Sequence, residues 1–132
     1  MADINEVRKR FSNDLFAAKQ AGIEIIEADK NYSLCEMKIT PFHLNAAGCV
    51  MGGAIYTLAD YAFAVAANTD NPLTVTLSSN ISFLRSVKTD RLQAECRLQK
   101  DGKNICFFRV NVTAPDGTVI AAVDTNGFRL NG

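Results

Sequence analysis

The chain has 132 residues, 48% of them hydrophobic, and its 14 basic residues are balanced by 14 acidic ones. This length predicts one domain, residues 1–132, with a hydrophobic core of its own. Without net charge there is no long-range field to attract nucleic acid or an anionic membrane surface, so we expect neither as a partner. The first residues lack the apolar stretch of a signal peptide, and no segment is apolar enough to span a membrane, which predicts a soluble, cytoplasmic protein.

The N-terminal region predicts a helix followed by a short β-hairpin. Asp3 followed by Glu6 resembles a capping box, and apolar residues recur at helical spacing, so we expect a helix over about residues 3–20 with a break near 12–13. The following segment, 23–39, has the composition of two antiparallel strands joined by an Asp-Lys-Asn turn.

The middle of the chain predicts a helix that is apolar on nearly every side. We expect it over about residues 53–67, and between Ala54 and Ala67 its only polar residues are Thr57 and Asp60. A helix of this kind must be covered on all sides. An ionised carboxylate is costly to bury without a partner, so Asp60 is expected to be paired with a basic group, to be protonated, or to face a cavity.

From about residue 73 to residue 129 the hydrophobic period changes to two, which predicts four strands. The first strand is long, and its apolar residues are expected to share one face: Leu73, Val75, Leu77, Ile81 and Phe83. Asp-Gly turns at 101–102 and 116–117 separate the last three strands, so these strands are expected to run antiparallel.

The order of these elements predicts an α+β fold in which a curved antiparallel β-sheet wraps around the long central apolar helix, the arrangement known as the hot-dog fold. A sheet bent in this way leaves an edge strand without a partner. Pairing two such edges across a two-fold axis is a usual solution, so we expect at least a dimer.

No metal or redox site is predicted. The four cysteines are scattered without a Cys-x-x-Cys pair, and we expect most of them to be reduced core residues. His43 is the only histidine, and no Gly-x-Ser-x-Gly motif accompanies it, so neither a His-rich metal centre nor a Ser-His-Asp mechanism is supported.

The residues at the start of the central helix predict an oxyanion site, with a simple tight turn as the alternative. The first N–H groups of a helix lack intrahelical acceptors, and Gly52 and Gly53 would let a ligand approach them closely. Seven residues separate Gly53 from Asp60, about 10 Å along a helix, whereas reacting atoms must come within ~3–3.5 Å. The two groups are therefore expected to meet in a site shared between two subunits.

These positions together resemble the PaaI-like hot-dog thioesterases. The shared pattern consists of Asn45, the Gly-Gly pair at 52–53, Asp60, and the strand residues Asn80–Arg85, and the resemblance covers nearly the whole domain. Members of this family hydrolyse acyl-CoA thioesters as dimers or dimers of dimers. The resemblance thus implies an acyl-CoA thioesterase that needs no cofactor beyond the coenzyme A of its substrate.

Carried onto this sequence, the resemblance implies four catalytic residues. Asp60 is the nucleophile that attacks the thioester carbonyl or the general base that activates water, and the backbone N–H of Gly52 binds the carbonyl oxygen. Asn45 orients the water or the thioester from the opposite subunit, and Thr76 supplies a hydroxyl that positions the water. The alternatives are a loop residue that bonds to its own backbone for Asn45 and an ordinary strand residue for Thr76.

Further positions are expected to contact the acyl group, the thioester or the phosphates of coenzyme A. They are Gly53, Met51, Tyr61, Asn80, Arg85 and Lys88. The alternatives are a core residue for Tyr61 and a solvated charged surface for Arg85 and Lys88. Met51 stands where the family usually has a histidine, which leaves open a second function, the binding of an acyl-CoA or another acyl ligand without hydrolysis. A third alternative, a hot-dog hydratase, needs a paired Asp and His, and His43 has no Asp at a suitable spacing.

Overall fold

The computed structural model describes residues 2–130. The helical segments are α1 (Ile4–Phe11), two short turns (Phe16–Gln20 and Pro41–His43) and α2 (Gly52–Asn68). The strands are β1 (Ile23–Asp29), β2 (Tyr32–Lys38), β3 (Thr74–Phe83), β4 (Arg91–Asp101), β5 (Ile105–Thr113) and β6 (Val119–Arg129). Among the described residues, no helix combines the length and hydropathy needed to cross a membrane.

The strands form one antiparallel sheet around α2. Their order is β1-β2-β4-β5-β6-β3, so β1 and β3 are the two edges. Leu58 and Val65 of α2 are completely buried, and the ring of Phe63 meets that of Phe108 on β5 edge to face, with centroids 5.4 Å apart. Burial of this kind is what an apolar helix requires, and it confirms the predicted α+β hot-dog fold.

The predicted N-terminal helix consists of two pieces. Helix α1 ends at Phe11, and the second helical segment is Phe16–Gln20. The carbonyl of Asp14, before this segment, accepts a hydrogen bond from the N–H of Ala18 at 2.8 Å. The break falls at the expected place. Beyond it, the side chains no longer follow the helical spacing of α1. Leu15 and Phe16 are therefore 56% and 69% exposed, although helical spacing places Leu15 on the buried face.

The predicted face of the apolar residues is wrong for the first half of β3. A β-bulge places Leu77 as an extra residue between Thr76 and Ser78 in the pairing with β6. An extra residue reverses the face that each following side chain occupies. Val75 and Leu77 are therefore 43% and 54% exposed, whereas Ile81 packs against the core.

A buried arginine closes the C-terminal end of α2. Arg129 is 4% exposed, and its Nη1 donates to the carbonyl of Ala67 and to Oγ1 of Thr74, both at 2.9 Å. Its Nε donates to Oδ1 of Asp101 at 3.0 Å, and its Nη2 donates to Oδ1 of Asn31 at 3.1 Å. Because a buried guanidinium is stable only with partners for its donors, these bonds join α2, β3, β4 and the β1–β2 turn at one point.

The cysteines are free thiols with different surroundings. Cys35, Cys96 and Cys106 are buried, and Cys49 lies partly exposed in the loop before α2. Burial raises the pKa of the Cys35 thiol to about 12, and it raises the pKa of Cys96 and of Cys106 as well. The three buried thiols are core residues, as the sequence predicts.

Candidate active site

His43 holds the start of α2 in place. Its Nε2 donates to the carbonyl of Ala21 at 2.8 Å, and its Nδ1 accepts from the N–H of Thr40 at 2.9 Å. The carbonyl of His43 accepts from the N–H of Met51, the residue before α2, at 2.8 Å. Both ring nitrogens are occupied by the backbone, so His43 has a structural role and no free nitrogen for a hydratase reaction.

The first turn of α2 has free backbone donors. The N–H groups of Ala54 and Ile55 donate to the carbonyl of Met51 at 3.0 and 3.1 Å, and no side chain caps the helix. The N–H groups of Gly52 and Gly53 have no acceptor among residues 2–130. Since the helix dipole adds positive potential at this end, the two groups can bind an oxygen that carries negative charge.

Each of the two glycines has one side chain close to it. A Cβ at Gly52 would lie 3.2 Å from the ring of Phe83, and a Cβ at Gly53 would lie 3.0 Å from the methyl group of Met51. Phe83 and Met51 are about half exposed. A methyl group at either position would therefore touch Phe83 or Met51, and these half-exposed side chains would have to move by a few tenths of an ångström.

Asp60 has a carboxylate without a protein partner. Among residues 2–130 it forms no ion pair and no hydrogen bond. The pKa of Asp60 is raised, mainly because surrounding groups keep water from the carboxyl group and also because the carboxylate of Asp14 lies nearby. Among the described residues Asp60 thus has no basic partner, and it lies beside a cleft.

The cleft at Asp60 lies between α2 and the segment that follows α1. Its volume is about 510 Å³, and we call it the Asp60 cleft; its lining residues are Asp14, Leu15, Phe16, Ala17, Tyr56, Thr57, Asp60 and Tyr61. The set holds two carboxylates, no lysine or arginine, and mainly apolar or aromatic side chains. This cleft therefore suits a neutral, apolar group beside a carboxylate that can attack or accept a proton.

A second cleft lies at the glycine end of the same helix. Its volume is about 670 Å³, and we call it the Met51 cleft; its lining residues are Phe16, Gln20, Ala21, Phe42, His43, Met51, Gly53, Ala54 and Thr57. The two clefts share Phe16 and Thr57. Gly53, Thr57 and Asp60 are spaced by four and then three residues, so they lie on one face of α2 and the two clefts follow each other along it.

Asn45 is held in the loop before α2 by its own side chain. Its Oδ1 accepts from the N–H of Ala47 at 3.0 Å and from the N–H of Cys49 at 3.1 Å. Its backbone N–H donates to the carbonyl of Cys49 at 2.8 Å. The side-chain oxygen of Asn45 is thus bonded to its own loop, as one of the two expectations has it. The side-chain Nδ2 is the group that could contact a substrate.

Thr76 and Asn80 lie on opposite faces of β3. Thr76 pairs with Gly127, a residue of the buried face of β6, whereas Asn80 pairs with Asp124 on the outer face. Asp124 is itself bound by Arg109, with two bonds of 2.9 Å. Within one chain, Thr76 is thus on the face that covers α2, and Asn80 is not brought together with Asp60.

Arg85 and Lys88 are exposed residues of the segment between β3 and β4. This segment touches the loop before α2, because the N–H of Val50 donates to the carbonyl of Val87 at 3.0 Å. The segment that carries the two basic residues is therefore attached to the loop that precedes α2. Arg85 and Lys88 do not line either of the two clefts.

Tyr61 contributes to the wall of the Asp60 cleft but belongs to the core. It is buried, its hydroxyl donates to the carbonyl of Phe11 at 3.2 Å, and burial raises its pKa. Sequence reasoning missed Asp14 and Phe16, which form the opposite wall. The available signal was the break after α1, since residues beyond a break need not follow the helical pattern that precedes it.

Comparisons with known proteins identify the family of the chain. Residues 47–121 match the family model of the thioesterase superfamily. The acyl-coenzyme A thioesterase PaaI of Escherichia coli (strain K12) is 29% identical over 123 residues, which cover 92% of this chain and 87% of the relative. The matched family span includes the first turn of α2 and Asp60.

Solved structures show the same fold. A mutant form of the phenylacetic acid degradation protein PaaI from Thermus thermophilus is 27% identical with a TM-score of 0.81, covering 86% of this chain and 97% of that chain. A hypothetical thioesterase from Streptococcus pneumoniae TIGR4, solved with coenzyme A, is 24% identical with a TM-score of 0.83, covering 91% of this chain and 96% of that chain.

The family match covers more than half of the chain, and the fold match covers most of it. Because the family model matches more than half of the chain, the chain belongs to the thioesterase superfamily, as a PaaI-like hot-dog thioesterase.

Proposed function

We propose that the protein hydrolyses acyl-CoA thioesters to the free acid and coenzyme A, in a site that two chains share. The E. coli relative bears the name of this activity, and the Streptococcus pneumoniae neighbour was solved with coenzyme A. One observation carries the proposal: the carboxylate of Asp60 and the N–H of Gly52, both without a partner among residues 2–130, belong to the same helix. They are the two groups that acyl transfer needs, a base or nucleophile and an oxyanion donor.

The distance between these groups supports a shared site. About seven residues of helix place Asp60 roughly 10 Å from the glycine end, and both groups must contact the same carbonyl. Two copies of α2 lying antiparallel across a two-fold axis would bring the glycine end of one chain to Asp60 of the other. A closed dimer then contains two identical sites.

The two edges of the sheet differ in a way that favours β3 as the dimer contact. The β1 edge is covered by α1, where Nε of Arg8 donates to the carbonyl of Ile25 at 3.0 Å. The β3 edge pairs only with β6 and carries the exposed apolar residues Val75 and Leu77. An uncovered apolar edge is a template for a second strand, so the proposed assembly is a homodimer through β3, or a dimer of such dimers.

Two routes through Asp60 are chemically complete. As general base, Asp60 takes a proton from water, the hydroxide adds to the carbonyl carbon, and the resulting oxyanion is bound by the N–H of Gly52. The C–S bond then breaks, and the thiolate receives the proton from Asp60. As nucleophile, Asp60 adds to the carbonyl carbon and expels the thiolate, and water cleaves the resulting anhydride.

The other predicted residues have supporting roles in this proposal. Nδ2 of Asn45 donates to the water or the thioester oxygen, and Thr76 positions the water from the helix-facing side of β3. Gly53 and Met51 border the carbonyl, and Tyr61 forms the apolar wall. Arg85 and Lys88 bind the phosphates of coenzyme A, and Asn80 contacts substrate only from the outer face of a neighbouring copy.

The first test is thiol release from a panel of aliphatic and aromatic acyl-CoAs. Wild-type protein is expected to release thiol, and Asp60→Asn is expected to lower kcat by at least about 100-fold, because both routes need the carboxylate. Circular dichroism and size-exclusion chromatography check that the variant keeps its fold and assembly. A variant as active as wild type would show that Asp60 has no catalytic part.

The second test asks whether two chains share the site. Gly52→Pro removes the N–H while keeping a residue that suits the first position of a helix. If Asp60→Asn and Gly52→Pro are each inactive, a mixed dimer carries both defects in one site and none in the other. Mixing them under subunit exchange is expected to restore activity; no restoration would place the complete site within one chain.

Because Met51 stands where the family usually has a histidine, the binding of an acyl ligand without hydrolysis is the second candidate function. The thioether of Met51 is half exposed at the helix N-terminus, where it offers no strong hydrogen-bond donor or acceptor. If wild-type protein binds acyl-CoAs in calorimetry but releases no thiol from any of them, this second function replaces hydrolysis.

A further inference from the structure

Phe42 is the most exposed of the large apolar side chains among residues 2–130. Its exposed fraction is 96%, and it lines the Met51 cleft. Phe16 and Met51 line the same cleft and are 69% and 50% exposed, so these side chains form one apolar patch. An exposed patch of this kind is typical of a surface that another molecule covers.

The turn that carries Phe42 is held by hydrogen bonds on both sides of it. The N–H of Phe42 donates to Oγ1 of Thr40 at 3.3 Å, and the N–H of His43 donates to the carbonyl of Thr40 at 2.9 Å. The carbonyl of Pro41 accepts from the N–H of Leu44 at 3.2 Å, and the ring of His43 is buried. Since Pro41 also restricts its own backbone torsion, the turn keeps Phe42 at the rim of the Met51 cleft.

The proposed shared site decides which part of a second chain Phe42 faces. A two-fold axis that sets two copies of α2 antiparallel reverses the direction along the helix, but it keeps the flanking segment on the same side of both helices. Both clefts are bordered by the segment between α1 and β1. The Met51 cleft of one chain therefore faces the Asp60 cleft of the other, and Phe42 lies beside Asp60 of the other chain.

The charges around the two clefts indicate which part of the substrate lies there. The lining of the Asp60 cleft includes the carboxylates of Asp14 and Asp60, and neither cleft has a lysine or an arginine in its lining. These carboxylates would repel the phosphates of coenzyme A. The acyl group carries no charge, so it is the part of the substrate that suits this side of the shared site.

We propose that Phe42 of one chain forms part of the wall against which the other chain, at its Asp60, holds the acyl group, and that Phe42 thereby favours long acyl groups over short ones. This role rests on the proposed function, because it requires the shared site. A long acyl chain removes more apolar surface from water against the ring of Phe42 than the single methyl of an acetyl group does.

The position of Phe42 is tested by cross-linking, which does not depend on hydrolysis. Leu15 lines the Asp60 cleft and is 56% exposed. Phe42→Cys chains and Leu15→Cys chains are mixed, both with Cys49→Ser to remove the partly exposed thiol, and are treated with a short bis-maleimide. A covalent dimer is expected in the mixture and much less of it in either variant alone. Phe107→Cys, on β5 outside both clefts, replaces Phe42→Cys in the control and should give none.

The effect of Phe42 on selectivity is measured by thiol release. Phe42→Ala is expected to lower kcat/KM for decanoyl-CoA by about tenfold and that for acetyl-CoA by less than about twofold. Phe107→Ala removes the same side chain from a position that lines neither cleft, and it should change neither value. Because Phe42 is almost fully exposed, its truncation leaves no core cavity and the variant should fold.

Mixed dimers show on which chain Phe42 acts. In a dimer of Asp60→Asn and Gly52→Pro chains, the one complete site takes Gly52 from the first chain and Asp60 from the second. Phe42→Ala added to the Asp60→Asn chain should reproduce the tenfold loss for decanoyl-CoA. The same substitution added to the Gly52→Pro chain should leave the ratio of decanoyl-CoA to acetyl-CoA activity unchanged. Equal effects, or the reverse order, would overturn the role of Phe42 across the interface.

An S-decyl-CoA thioether, which cannot be hydrolysed, separates this role from the proposed hydrolysis. A protein that releases no thiol, but forms the cross-link and binds the thioether about tenfold less tightly as Phe42→Ala, would end the proposed hydrolysis and leave the role of Phe42 in place. A protein that hydrolyses acyl-CoAs would lose the role of Phe42 if the cross-link is absent or if Phe42→Ala keeps the wild-type selectivity.

Discussion

The two ends of α2 are built for opposite purposes. At the C-terminal end, Arg129 donates to the carbonyl of Ala67 at 2.9 Å and Arg10 donates to the carbonyl of Asn68 at 3.0 Å. At the N-terminal end, no side chain caps the helix and the N–H groups of Gly52 and Gly53 are free within the described residues. Cations complement the dipole at one end, while the other end keeps its positive potential for a ligand.

The two ends of α2 are therefore expected to contribute differently to stability and to activity. A helix end with its carbonyls bound contributes to the free energy of folding, whereas a helix end with free donors contributes little until a ligand arrives. Substitutions at the two ends should therefore separate the two properties.

The largest expected effect is at the closed end. Arg129→Leu should lower the free energy of unfolding by about 3 to 5 kcal/mol, because it leaves Asp101, Asn31 and Thr74 without their donor. Urea unfolding measures this loss. Arg109→Leu is the matched control, since its ion pair with Asp124 is exposed and should contribute less than about 1 kcal/mol.

Equal losses for the two arginine variants would contradict a special role of the closed end. Thiol release per folded Arg129→Leu molecule should match that of wild type, because Arg129 contacts the C-terminal end of α2 and Gly52 is at the N-terminal end.

The next effect is at the open end. Gly52→Pro should lower kcat by about 100-fold by removing one oxyanion donor. The midpoint of thermal unfolding should change little, because proline suits the first helical position and Met51 before it is already extended, with φ −65° and ψ 139°. Gly52→Ala is the control, as it keeps the N–H and adds the same Cβ near Phe83. If the alanine variant loses as much activity, crowding rather than the donor explains the loss.

The smallest effect concerns the pH profile. In the proposed reaction Asp60 must be ionised, so kcat/KM should fall as the pH drops through its pKa, which partial desolvation and then the charge of Asp14 hold above the ordinary value. Asp14→Asn removes the like charge, lowers the pKa of Asp60 and should move the acid limb to lower pH. Glu6→Gln, an exposed acid on α1, is the control. An unchanged or upward-moving limb for Asp14→Asn would contradict this assignment.

Much of the fold could be predicted because its signals are local. The Asp-Gly turns and the two-residue period indicate the hairpins of β4 to β6, and the apolar run around Asp60 indicates a helix that needs a sheet around it. The bulge at Leu77 has no such signal. An alternating sequence looks the same with or without an extra residue in the pairing, so the pattern places Val75 and Leu77 on the same face as Ile81.

The candidate site was predictable where it lies on one helix. Gly52 and Asp60 are separated by a fixed helical spacing, so the distance between them follows from helix geometry alone. Asp14 and Phe16 come to the cleft from a turn after α1, and Arg129 gathers partners from four distant segments. Contacts of this kind depend on the tertiary arrangement, and no pattern in the sequence encodes them separately.

The uneven burial of the thiols makes the protein convenient to label. A maleimide dye should react with Cys49, which is partly exposed, and leave Cys35, Cys96 and Cys106 untouched in the core. The N–H of Cys49 donates to Oδ1 of Asn45 at 3.1 Å. A fluorophore at this one position would therefore report the arrival of a ligand at the helix entrance, in the natural sequence and without engineered cysteines.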